Sequence, residues 1–189
     1  MDPQQFKTKH EAGSKYADYV RSGTPAQHEN WKAVHDRVSL SASQRELLAS
    51  FNRQINVIAL TGIWCGDCVQ QLPLIDHIAQ ANPQKIDVRY LDRDQHMDLQ
   101  AIVRVNGGNR VPVLIFLAED YEMVGWVGDR TLSRYRAIAA RQLGPSCPLP
   151  GAALDADELK ATMQDWVDEF ERVHLLLRLS TRLRQKHGD

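Results

Sequence analysis

The segment Trp64-Cys65-Gly66-Asp67-Cys68 constrains this chain more than any other, because of what flanks it. Residues 55–60, Ile-Asn-Val-Ile-Ala-Leu, form a short β-branched apolar run, the pattern of a buried strand. Thr61-Gly62 is expected to break it. After Cys68, apolar residues fall at Val69, Leu72, Ile75 and Ile78/Ala79, which is helical spacing. Cys65 is therefore expected at a helix N-terminus, where unpaired N–H groups and the macrodipole favour an anion. The thiolate is the nucleophilic form of cysteine, so this location activates it. Cys68, one turn further in, is more shielded and suits a resolving role.

Composition narrows the setting. The 189 residues suit one domain with room for extensions, and 43% apolar with 25% charged content predicts a packed soluble globule. A net charge of −1 gives no reason to expect nucleic acid or an anionic membrane surface. The first residues, Met1 to Lys7, lack a basic-then-apolar signal region, and no apolar run approaches the ~20 residues of a membrane span. Three cysteines are too few for a disulfide scaffold, and the spare one fits a reducing compartment. The expectation is a cytoplasmic protein.

The rest of the chain alternates helix and strand signals. Residues 1–52 read as a polar helical extension. Thr24-Pro25-Ala26-Gln27 offers a cap, a proline at the first helical position and a capping-box glutamine. Trp31, Val34 and Val38 form a stripe behind it, and a further short helix is expected from Ser41 or Ser43. A helix over 66–81 ends at Asn82-Pro83. Residues 86–91 alternate as a strand, parallel to the first by the usual crossover. A short helix over 95–104, a strand over 111–117, an antiparallel partner over 121–127 and a helix over 131–143 complete residues 53–143. Residues 144–154 are proline-rich and read as a linker. Beyond it, Leu159, Met163, Trp166, Phe170, Val173 and Leu177 predict one helix of about 30 residues ending in a basic stretch. This stripe is most simply core. The sharper alternative is a partner or homodimer surface built from the last helix.

This order resembles the thioredoxin family. Trp64 stands before the first cysteine, Pro73 is the helix-kinking proline, Pro112 follows the aliphatic Val111, and Gly128 follows the last strand. The match covers about residues 55–143, with both helical extensions outside it. The resemblance implies an α/β, three-layer fold: a mixed central sheet, parallel strands plus a C-terminal antiparallel hairpin, carrying added N- and C-terminal helices. It implies a thiol–disulfide oxidoreductase in which Cys65 attacks and Cys68 resolves, and a cis bond at Pro112 facing the pair. It also implies that Val111 can pair with an extended substrate and Trp64 dock it. The cofactor is then no more than the redox-active Cys65–Cys68 disulfide. The partners are disulfide-containing proteins and an upstream reductase. Two departures stand out. Asp67 replaces the family's proline after Gly66, and Ala59 occupies the place of a buried aspartate that assists proton transfer.

Asp67 sets the redox expectation, since a carboxylate beside a thiol raises its pKa and favours a reducing couple; Arg110 is placed to push the other way. Plainer readings stand beside these. The plainer reading of the cysteines is a structural or metal-binding pair, against which it counts that a zinc site usually needs four ligands and no second C-x-x-C is present. Pro112 fits an edge strand, Trp64 a core position, Asp67 a first-turn cap and Arg110 a solvated charge. Cys147 is an inert linker thiol or an exposed regulatory one, and His35 and His174 read as surface or packing residues. A non-catalytic binding module on the same fold and a metal- or cluster-binding protein are the alternatives to the enzyme.

Overall fold

The computed structural model describes residues 1–143 and 158–189. Four helices lead in: α1 (Pro3–Ala12), α2 (Tyr16–Arg21), α3 (Pro25–His35) and α4 (Ala42–Ala49). Their starts are written in the sequence. Asp2, Thr24 and Ser41 each accept from a backbone N–H three residues on, and a glutamine there, Gln5, Gln27 or Gln44, returns the bond to the cap's own N–H. These capping boxes satisfy donors that a helix start otherwise leaves orphaned. The predicted start at Ser41 and the Trp31 stripe both hold, with Trp31 fully buried.

The sheet then forms from β1 (Ile55–Thr61), β2 (Ile86–Asp92), β3 (Val113–Leu117) and β4 (Met123–Gly128), in the order β2-β1-β3-β4. β1 runs parallel to β2 and antiparallel to β3, and β3–β4 is an antiparallel hairpin. Every residue of β1 and β3 is buried, which is why both read as continuous apolar runs with little alternation. β4, at one edge, leaves Met123 and Trp126 exposed. Thr61 is the last residue of β1, paired with Asp92, where the sequence reading had it as a breaker. Strand β3 begins only at Val113, after Pro112, which has no N–H to give a ladder.

Helix α5 (Gly66–Ala81) carries the cysteine motif and matches the predicted span. The expected helix over 95–104 is a 3-10 turn at Arg93–Gln95 followed by α6 (Met97–Ile102). Helix α7 (Leu132–Leu143) closes the hairpin side.

The C-terminal helix departs from expectation. It is two helices, α8 (Glu158–Leu179) and α9 (Thr181–His187), with extended backbone at Ser180 between them. The break lets Leu183 bury completely, and it sets Arg182, Lys186 and His187 against Asp120 and Glu119 at the β3–β4 turn. Met163, Trp166, Val167, Phe170, Val173 and Leu177 are buried against this chain's own core, with Phe170 edge-on to Phe116 of β3 at 5.2 Å. His174 stacks on Phe51 at 4.2 Å and His35 packs beside His77 and Asp76, so both are packing residues as expected. The proposed linker and its Cys147 lie outside the described residues.

Candidate active site

β1 ends at Thr61, and Gly62-Ile63-Trp64 turns the chain into α5, whose N-cap is Cys65. Gly62 is required here: a Cβ on it would meet the Trp64 ring at 2.9 Å. The turn leaves Cys65 half-buried and Cys68, one turn on, fully buried. Both are free thiols.

The two thiols are electrostatically unlike. The Cys65 thiol is lowered to about 6. The hydrogen bond from Cys68 does most of this, against burial, and the N–H groups of Cys68 and Asp67 add to it. The N–H share alone is the helix-terminus effect that the sequence predicts. Burial pushes the Cys68 thiol well up, and the Cys65 sulfur pushes it further.

Pro112 closes the site from the other side. Its bond to Val111 is cis, as the resemblance implies, and the Cys65 Sγ–H donates to the Val111 carbonyl at 3.5 Å. Gly128 stands directly behind, since a Cβ there would meet Pro112 O at 2.7 Å and Val113 Cγ2 at 2.8 Å. Trp64 is 53% exposed, so it is a surface ring and not a core one. The Arg93 guanidinium lies 4.8 Å over it, a cation–π contact. Gly66 has nothing within 4 Å of where a Cβ would be, so packing does not demand a glycine there.

Asp67 and Arg110 each have charged partners that the sequence did not reveal. Asp67 faces the site, and its charge does push the Cys65 thiol up, but less than the Cys68 and N–H hydrogen bonds push it down. The carboxylate is gripped by Arg130, through Nε at 3.0 Å and Nη2 at 2.6 Å, and by Arg134 Nη2 at 3.1 Å. A charge answered by two guanidiniums has a weak residual field. Arg110 does not face the sulfurs through a bond of its own; it pairs with Asp129 at 3.2 Å.

Asp129 is the residue the sequence reading missed. It is 3% exposed and follows Gly128 across a cis bond. Burial pushes its carboxyl up, but the Tyr135 hydroxyl, its own N–H, Arg110 and Arg130 hold it below the usual carboxylate range. Gln71 Nε2, from inside α5, donates to its backbone carbonyl at 2.9 Å. Arg130, Arg134 and Tyr135 were missed for the same reason: they lie more than 60 residues from Asp67 in the chain, on or just before α7. The only sequence sign was the density of arginine between Arg130 and Arg141.

Among the described residues, no group of three or more His, Cys, Asp or Glu converges as a metal cluster would. None of the described helices is long and apolar enough to cross a membrane.

Comparison with known proteins agrees with this geometry. The chain is 24% identical over 132 residues to protein disulfide-isomerase 1 of Caenorhabditis elegans, covering 69% of this chain and 26% of that protein. It thus spans about a quarter of the relative's length. A crystal structure of a Pseudomonas aeruginosa protein of unknown function superposes with a TM-score of 0.65 at 16% identity, covering 87% of this chain and 93% of the other. An HIV epitope scaffold superposes at 0.58 with 18% identity, covering 87% and 90%. At such identities the structures speak for the fold alone. The sequence profile described as Thioredoxin matches residues 13–137, starting well before β1, so helices α2 to α4 belong to the matched region where the sequence reading had left them outside. With two-thirds of the chain inside that match, and the cysteine pair and cis-proline where the fold requires them, this protein belongs to the thioredoxin family.

Proposed function

We propose that this chain is a thiol–disulfide oxidoreductase that reduces protein disulfides. The observation that carries the reading is the asymmetry of the pair: Cys65 half-buried with its thiol lowered to about 6, Cys68 buried with its thiol pushed up. At neutral pH Cys65 is then largely thiolate and attacks, while Cys68 stays protonated until needed. Cys65 attacks one sulfur of a substrate disulfide and forms a mixed disulfide. Cys68 next attacks Cys65, releases the reduced substrate and leaves the Cys65–Cys68 disulfide, which an upstream reductase returns to thiols. An extended substrate segment lies along Val111, beside the exposed Trp64 ring. The nematode relative is named for disulfide isomerisation, and disulfides isomerise by thiolate attack of this kind.

The lowered Cys65 value supports reduction as the working direction. It lies nearer to thioredoxin's cysteine, at about 7, than to the value of about 3.5 found in a strongly oxidising relative of that fold. The Cys68 hydrogen bond and the N–H groups of α5 hold the Cys65 thiol there, while Asp67, paired with its arginines, opposes them weakly.

Insulin-disulfide reduction with dithiothreitol as electron source tests the reading. Turnover by the native chain and none by Cys65→Ser is the expected result. Native protein that binds reduced or oxidised insulin without turning it over would instead indicate a binding module.

A further inference from the structure

Resolution requires Cys68 to act as a thiolate although it is sequestered from water, and at the place of the thioredoxin acid this chain has the apolar, fully buried Ala59. What does face Cys68 is polar but uncharged. The groups close enough to act on its sulfur are the Cys65 sulfur, the Thr61 hydroxyl and the Gly62 N–H. Thr61, at the end of β1, is 0% exposed, and its Oγ1 has no hydrogen-bond partner at normal length. Tyr19 of α2, 5% exposed, brings a second hydroxyl to Thr61, and that oxygen also lacks a partner at normal length. A buried hydroxyl left unsatisfied is costly, and a pair of them, one beside the buried thiol and the other beside the first, is better explained by a task than by chance.

We propose that Thr61 and Tyr19 are positioning residues for resolution: the Thr61 hydroxyl turns its hydrogen to the Cys68 sulfur as charge forms there, and the Tyr19 hydroxyl donates to Thr61 Oγ1. The proposal rests on the oxidoreductase reading. In the mixed disulfide, Cys65 is bonded to one substrate sulfur. Cys68 gives its proton to that departing sulfur, and its electron pair forms the Cys65–Cys68 bond as the Cys65–substrate bond breaks. Two protein thiols are oxidised, one substrate disulfide is reduced to two thiols, and Thr61 and Tyr19 keep their protons. Burial pushes the Tyr19 phenol up, so it donates and does not ionise. The titratable groups around this path are Cys65, Tyr19 and, beyond Tyr19, Asp92 and the stacked Tyr90 of β2.

Reaction of the reduced full chain with Ellman's reagent separates the two steps. The first thionitrobenzoate is released by Cys65 attack, the second by Cys68 resolution. Thr61→Val keeps the shape and removes the hydroxyl. It should slow the second release about tenfold near neutral pH and move its pH profile up by about one unit, since one unit is tenfold in thiolate below the midpoint. The first release should not change. Tyr19→Phe should shift the second release in the same direction by less, and Thr61→Ser should restore it. A second-phase pH profile in Thr61→Val matching that of the native chain would overturn the proposal while leaving the oxidoreductase reading intact. Should Thr61→Val fail to fold, Tyr19→Phe decides by the same criterion. Absence of any second release from the native chain would overturn both.

Discussion

At the scale of single residues, the reactivity of Cys65 is set by a balance that the arginines hold. Asp67 sits in the first turn of α5, close enough to oppose the thiolate, while Arg130 and Arg134 absorb its charge. The two sides are separable. Asp67→Asn removes the carboxylate and releases two guanidiniums, so the Cys65 pKa should fall below about 6. Arg130→Ala leaves Asp67 under-neutralised, so the pKa should rise. The pH profile of thiolate absorbance, or of iodoacetamide alkylation, reads both shifts; movement in the same direction for the two variants would contradict the balance. The sequence showed Asp67 and the direction of its push, because both follow from adjacency to the cysteines. It did not show the arginines. Their approach depends on how α7 packs beside α5, and no short-range pattern encodes that meeting.

At the scale of elements, the site depends on a close passage between β4 and the Pro112 loop. Gly128 pairs with Val113 and leaves no room for a side chain against the Pro112 carbonyl. Gly128→Val forces backbone apart, and overpacking of this kind costs about 1–3 kcal/mol. Chemical denaturation should show that loss, and turnover should fall further than stability alone explains, because Pro112 is displaced from Cys65. The turn after α8 is a second case. Leu183 is fully buried through α9, so Leu183→Ala should destabilise by about 2–5 kcal/mol; a change under about 0.5 kcal/mol would mean that α9 does not pack. Element type was legible wherever period and caps agreed, as at Ser41 and across 66–81. The break at Ser180 was not, since Leu177, Leu183 and the basic residues continue a helical pattern across it. The break accompanies tertiary contacts that no local pattern encodes: the burial of Leu183 and the pairing of Arg182, Lys186 and His187 with the β3–β4 turn.

At the scale of the whole molecule, the N-terminal helices complete the sheet as well as adding to it. Ser14 exchanges both backbone hydrogen bonds with Tyr90 at 3.0 and 2.8 Å, covering the outer edge of β2. An open edge there would invite pairing with other chains. His10 of α1 is buried and its Nε2 lies 3.0 Å from the Asp87 carbonyl. Burial holds His10, His77, His96 and His174 below the ordinary imidazole pKa, so the unfolded chain binds more protons than the folded one in mildly acid solution. Stability is therefore fully present above the unfolded value, about 6.5, and is lost as pH falls through the lowered folded values. The melting temperature should drop between about pH 7 and pH 5; a flat profile would contradict the neutral burial of these rings. The central claim concerns the two sulfurs within this intact globule. A redox titration against glutathione, quenched by alkylation and read by mass spectrometry, tests it most directly. The account predicts one two-electron transition that converts Cys65 and Cys68 together from alkylated thiols to a mutual disulfide, with the fold unchanged by circular dichroism. Two thiols that remain alkylatable in folded protein across the whole range of potentials would contradict it.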